Sequence, residues 1–332
     1  MRALSCLCIL AALCANAEAR PRGGTPIPAG ASANGYTINT FHTGPFTTSN
    51  VDTTQTYHPG YQWYFPNYFG PPQSPSALTI NPDGSVTMAG TGNDTLGSLG
   101  LIVNATPYHG TGFGCGAYIT AEMSFPGIFV SNGHAGQSIT LYLMALEHLV
   151  YPQGASEQAW AAQPPPYDHF IEIDTIEFNT GQTYGSNYSG TLHDWYGDYN
   201  VTCPGAGYCG IDNRQTTPTN IFVLPGLRVN VEKNTDFTLF HRYATLWVPA
   251  TSLTNGILAF YFDDILINEF QYTQFTTQPP PPGVPPSQIV PWTWGIVDNQ
   301  HLGLILGGTV VNPLTVRSVD VWQNANACNL TN

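Results

Sequence analysis

The sequence predicts an all-β protein built as an antiparallel β-sandwich, and three observations carry that prediction. Short runs recur in which apolar and polar residues alternate, or in which β-branched and aromatic residues cluster, and both patterns suit a pleated strand. Gly (34) and Pro (28) are spread through the 332 residues and punctuate those runs. No long stretch repeats its apolar residues with a helical period.

Strand candidates follow in chain order. Ser85–Ala89 comes directly after Asn81-Pro82-Asp83-Gly84, a run of turn residues, and alternates Val86 and Met88 with polar neighbours. Ala117–Ser124 and Ser138–Leu143 alternate in the same way. Phe170–Phe178 is rich in isoleucine and contains a cluster of acids. Arg242–Val248 and Leu258–Phe262 are dense in aromatic and aliphatic residues, and Thr315–Trp322 carries Val316, Val319 and Val321. Trp247 and Trp322 fall on strands with strong apolar neighbours and are expected in the core. Two Pro-rich patches, Pro164-Pro165-Pro166 and Pro279–Pro286, resemble linkers by composition. They read better as surface loops of one domain, because strand-like runs continue around them.

Residues 1–19 read as a secretory signal. Arg2 is the positive start, Ala3 to Ala15 is apolar, and Ala15-Asn16-Ala17 and Ala17-Glu18-Ala19 offer small-residue cleavage sites. That stretch is too short to span a bilayer. The expected mature protein is secreted, a single domain over residues 20–332. Cys6, Cys8 and Cys14 would leave with the signal, so Cys115, Cys203, Cys209 and Cys328 remain, with three connectivities open to them. Cys203 and Cys209 close a short Pro/Gly loop and are expected to pair, leaving Cys115 with Cys328. No cysteine spacing suits a metal site. Sequons at Asn93, Asn104, Asn187, Asn200 and Asn329 are glycan acceptors in a eukaryotic host. A net charge of −13 with a single lysine, Lys233, argues against nucleic acid and anionic membranes as partners.

The segment Glu172-Ile173-Asp174-Thr175-Ile176-Glu177 holds three carboxylates in six positions of a chain with only 9% charged residues. Ile171 and Ile173 are apolar at odd positions, whereas Ile176 and Phe178 are apolar at even ones. A regular strand alternates faces with period two and cannot bury all four. One residue bulged out at Thr175 or Ile176 resets the parity. The four apolar residues then share the buried face, and Glu172, Asp174 and Glu177 share the other. Carboxyl tips on neighbouring same-face positions can approach to about 5–5.5 Å, the spacing of a nucleophile and an acid in retaining glycoside hydrolysis. The same row is also compatible with a hard-cation site, or with an ordinary polar sheet face.

The segment resembles the E-x-D-x-x-E signature of glycoside hydrolase family 16, in the bulged form of its laminarinase-like, agarase and carrageenase branches. Further pieces in the family's order are similar: Ala77–Met88, Gly114–Met123, Phe240–Trp247, Leu258–Asp264, Leu302–Gly308 and Val316–Gln323. The family's Trp-rich stretch ahead of the catalytic strand is missing; Ile139–Leu146 stands in its place. The resemblance implies a concanavalin A-like jelly roll whose concave sheet carries the cleft. It implies Glu172 as nucleophile, Glu177 as general acid/base and Asp174 as the assisting acid. It further implies a retaining, endo-acting hydrolase of a β-linked polysaccharide, with β-1,3- or mixed β-1,3/1,4-glucan expected first. The alternatives are a galactan- or agarose-type hydrolase, a transglycosylase, or a non-catalytic, lectin-like binding module.

Aromatic residues suit stacking on sugar rings, and several stand out. His193 resembles a family histidine placed just after the catalytic strand, and Trp195 lies in the aromatic patch Tyr188–Tyr199. Tyr61 and Trp63, in Tyr61-Gln62-Trp63-Tyr64-Phe65, are candidates for subsites, as are Trp292 and Trp294 after the second Pro-rich patch. No cofactor is expected; a structural calcium ion is compatible with the sequence but not indicated by it. The expected partner is a polysaccharide substrate, and the protein is expected to act as a monomer.

Overall fold

The computed structural model describes residues 26–66, 71–91, 94–101, 108–126, 139–150, 167–177, 187–198, 211–212, 227–230, 235–251, 253–272 and 300–332. The chain begins with α1 (Ala29–Ala33), β1 (Ile38–Thr43), a 3-10 turn at Pro75–Ala77, β2 (Leu78–Ile80), β3 (Val86–Met88), β4 (Leu96–Gly97) and β5 (Leu99–Leu101). It continues through β6 (Tyr108–Gly112), β7 (Ala117–Ser124), β8 (Thr140–Ala145), α2 (Leu146–Val150), β9 (Tyr167–Glu177), β10 (Asn187–Asp198), β11 (Ile211–Asp212) and β12 (Leu227–Asn230). It closes with β13 (His241–Val248), β14 (Gly256–Phe262), β15 (Ile265–Tyr272), β16 (Leu302–Gly307), β17 (Leu314–Gln323) and β18 (Leu330–Thr331).

Two antiparallel sheets make the sandwich expected from the sequence. The first runs β15-β14-β13-β7-β17-β3-β2, with β1 also paired to β17; the second runs β11-β10-β9-β8-β16-β4, with β12 paired to β10. The chain crosses from the first sheet to the second between β7 and β8, returns by β13, and crosses twice more around β16. This interleaving is jelly-roll connectivity. A small third sheet, β18-β6-β5, brings the C-terminus against the molecule.

Alternation decides which side chains enter the core. On β7, Ala117, Ile119, Ala121 and Met123 point between the sheets, where they meet Ile171, Ile173 and Ile176 of β9 and Leu141 and Leu143 of β8. Burying one aliphatic side chain of this size is worth roughly 1.5–3 kcal/mol, so the shared apolar face fixes the register of every strand. Tyr118, Leu246, Tyr261 and Trp322 face the other way and form a second apolar cluster on the outside of the first sheet, covered by α1. That five-residue helix has no side-chain cap at its N-terminus, Asn34 Nδ2 donates to the Gly30 carbonyl at its other end (2.9 Å), and Ala31 packs into this cluster. Trp247 and Trp322 are buried as expected.

Between β2 and β3 the turn closes through Gly84 N–H on the Asn81 carbonyl (2.9 Å), and Asp83 accepts from the Ser85 N–H (3.0 Å). Gly84 sits at φ +81°, and a Cβ there would lie 2.4 Å from Pro45 Cβ, so the position admits glycine alone. Cys115 is disulfide-bonded to Cys328 across 213 residues, the long-range pairing expected from the sequence. Cys203 and Cys209 lie outside the described residues. No described helix is long and apolar enough to cross a membrane.

Candidate active site

The site is built on β9, and its starting point is a break in strand register. Along β8, Leu141 pairs with Ile176 and Tyr142 with Asp174, leaving Thr175 without a partner. Along β10, Ser189 pairs with Glu177 and Thr191 with Asp174, so Gly190 alone faces both Thr175 and Ile176. This is a bulge against both neighbours, at the residue pair where the sequence parity changes. Thr175 and Ile176 both turn inward and are buried, as are Ile171 and Ile173. Phe178, expected on the same face, lies outside the described residues.

Two side-chain contacts hold the bulge from inside. Thr245 Oγ1, on β13 of the opposite sheet, donates to Thr175 Oγ1 at 2.9 Å. Phe260 of β14 packs against Gly190, where a Cβ would come within 2.8 Å of the ring. The glycine is needed there to let the two sheets approach at the bulge.

On the outward side, residues opposite one another on neighbouring antiparallel strands share a face. Three rows result. Met144, Glu172 and His193 form one, Tyr142, Asp174 and Thr191 the next, and Thr140 and Glu177 the third. The three predicted carboxylates therefore lie in sequence along one face, with Glu172 and Glu177 half-buried and Asp174 buried. Asp174 Oδ2 meets His193 Nε2 at 2.9 Å, and both side chains are buried, so desolvation strengthens the hydrogen bond that orients each of them. His193, singled out from the sequence, thus sits beside the middle acid and opposite Glu172.

Three residues not anticipated, Tyr142, Asp94 and Gln300, extend the site. Tyr142 donates to Asp94 Oδ1 at 2.5 Å, next to the Asp174 row. Burial pushes the Asp94 carboxyl above its ordinary pKa, against the lowering effect of the Tyr142 hydroxyl. Gln300 Oε1 accepts from the backbone N–H of Ile171 at 3.1 Å and tethers the loop before β16 to β9.

The remaining aromatic candidates divide. Trp63 is a correction: it is fully buried, its ring edge-on to Phe41 at 5.6 Å, and its indole N–H donates to Thr43 Oγ1 at 2.9 Å. Its apolar faces are spent on the core and cannot stack on a ligand. Tyr61 is half-buried and lies edge-on to Tyr64 at 6.1 Å. Trp195 stands on β10 opposite Phe170 of β9 and Asp212 of β11. Trp292 and Trp294 lie outside the described residues. Among those residues, no group of three or more His, Cys, Asp or Glu is arranged to hold a metal ion.

No protein-family model matches the chain, and no curated protein sequence matches it. Solved structures do. An endo-1,3-β-glucanase from Streptomyces sioyaensis is 13% identical over 78% of this chain and 80% of its own, with a TM-score of 0.35. β-Agarase B from Zobellia galactanivorans is 11% identical over 78% and 80%, with a TM-score of 0.38. The carbohydrate recognition domain of Emp46p is 7% identical over 75% and 86%, with a TM-score of 0.34.

Proposed function

We propose that this protein is a secreted, retaining, endo-acting glycoside hydrolase of a β-linked polysaccharide, with β-1,3- or mixed β-1,3/1,4-glucan as the first substrate class. The observation that carries the reading is the bulge at Thr175, which leaves Glu172, Asp174 and Glu177 on one face while Ile171, Ile173 and Ile176 stay in the core. In the proposed reaction Glu172 attacks the anomeric carbon, and the bond to the leaving oxygen breaks as Glu177 delivers its proton there. The ionised Glu177 then takes a proton from water, whose oxygen displaces Glu172 and restores both groups. Asp174, between them and fixed by His193, opposes ionisation of Glu177 by its own negative charge and so keeps the acid loaded.

The test is hydrolysis of laminarin, lichenan, agarose and galactan by the mature protein, with reducing ends counted and the anomer of the first product read by NMR. Release of β-configured ends from one or both glucans is expected. Binding to these polymers without cleavage of any, or an inverted product, overturns the reading.

A further inference from the structure

On the side of the sandwich away from the carboxylate row, the outer face of the first sheet holds a cavity of about 420 Å³, within the usual range for small-molecule sites. Its floor is a patch of cross-strand neighbours. Thr120 is opposite Asp320, Glu122 is opposite Ser318 and Arg242, and His42 flanks Asp320 from β1. Pro26 and Pro28, just ahead of α1, and Trp322 complete the walls.

The charged groups of this cavity are already matched. Asp320 Oδ1 takes both His42 Nδ1 and Asn39 Nδ2 at 2.7 Å. Arg242 reaches Asp264 Oδ2 at 2.5 Å, and Arg317 reaches Glu122 Oε1 at 2.9 Å. What is not matched is neutral. Trp322 Nε1 and Thr120 Oγ1 have no hydrogen-bond partner, although both side chains line the cavity and each residue is only 4% exposed. Buried polar atoms are nearly always satisfied, so two in one cavity mark a place where something else supplies the partners.

The chemistry of the walls selects the partner. An anion would meet Glu122, Asp264 and Asp320 with their neutralising cations already engaged. A cation would find Asp320 Oδ1 taken by His42 and Asn39, and Glu122 and Asp264 each already neutralised by an arginine. Hydroxyl groups satisfy every requirement, because each accepts from the indole N–H or exchanges with the threonine hydroxyl, and each also donates to the carboxylate oxygens that remain free. We propose that this cavity is a second binding site, distinct from the carboxylate cleft, for a neutral polyhydroxy ligand of the size of a sugar ring or the end of a saccharide chain. The inference does not depend on the cleft being catalytic.

The indole N–H of Trp322 is its own reporter. In ¹⁵N-labelled mature protein, its cross-peak is identified by its loss in Trp322→Phe. D-Glucose and D-galactose are then titrated into the millimolar range, with inorganic phosphate and Ca²⁺ as comparison probes. A saturable shift of that peak with at least one sugar is expected. Thr120→Val, which keeps the side-chain shape, should weaken the affinity several-fold, and Glu172→Gln in the cleft should leave the titration unchanged. A peak that moves with neither sugar, or only with phosphate or Ca²⁺, overturns the proposal, as does a titration that Thr120→Val does not alter.

Discussion

Thr245 and Thr175 share a hydrogen bond of 2.9 Å through the core, from one sheet to the other, at the residue that resets the parity of β9. Both are buried, so each hydroxyl depends on the other for satisfaction. Thr175→Val alone should cost about 1–3 kcal/mol, because it strands the Thr245 hydroxyl among apolar atoms. The double variant Thr175→Val with Thr245→Val should recover most of that loss, since two matched methyl groups need no partner. Urea unfolding of the two single variants and the double measures this directly. Strictly additive single losses would show that the pair is not coupled.

The bulge was legible in the sequence because parity is a strict rule: Ile173 and Ile176 cannot share a face of a regular strand. The strands were legible for the same reason, and Ala117–Ser124 was read with the boundaries of β7. Trp63 was not. It lies in five consecutive residues without alternation, and its burial is decided by Phe41 and Thr43 of β1, about twenty positions away. Asp94 and Tyr142 are 48 residues apart and meet only because β4 and β8 both pair with β16. The outer cavity has no signature in the sequence, because its matched ion pairs join five different segments, each of ordinary composition.

Glu172→Gln and Glu177→Gln should each lower turnover by several orders of magnitude without changing the melting temperature by much, since both side chains are half-buried at the surface of β9. They should also differ in kind. Azide should rescue Glu172→Ala by supplying the missing nucleophile and give the inverted α-glycosyl azide. Near-native turnover in either glutamine variant would refute the role assignment.

Asp174→Asn tests the middle acid. The amide oxygen can still accept from His193, so the geometry is kept while the negative charge is removed. Loss of that charge should let Glu177 ionise more readily. The alkaline limb of the rate profile should therefore move to lower pH, together with a fall in the maximal rate. A profile of unchanged shape with reduced height would assign Asp174 a purely positioning role.

The Cys115–Cys328 bond closes a loop of 213 residues. In the loop-closure model such a constraint is worth about 5 kcal/mol, taken from the unfolded chain. Replacing both cysteines by serine should lower the melting temperature by roughly 10 °C or more in a domain of this size. A shift of only a degree or two would mean that β18 and the tail are held by their pairing with β6 alone.

His301 lies beside this bridge and carries a pH dependence whose sign can be worked out. Burial acts to lower its pKa, but the hydrogen bond to Glu147 (2.7 Å), the charge of that carboxylate and the Cys328 backbone outweigh burial and hold the imidazole above its ordinary 6.5. A group whose folded pKa is raised contributes stability that is complete below the unfolded value and is lost as pH rises through the folded one. The pair clamps the start of α2 to the loop before β16, since Glu147 also accepts from the His301 backbone N–H at 3.1 Å. Glu147→Gln should therefore lower the melting temperature most at pH values just under 6.5, and the gap from the parent protein should narrow as pH rises beyond neutrality. His301→Gln should show the same narrowing. A gap that stays constant from slightly acid to alkaline pH would mean that the contact stabilises through packing and neutral hydrogen bonds, not through the imidazolium charge.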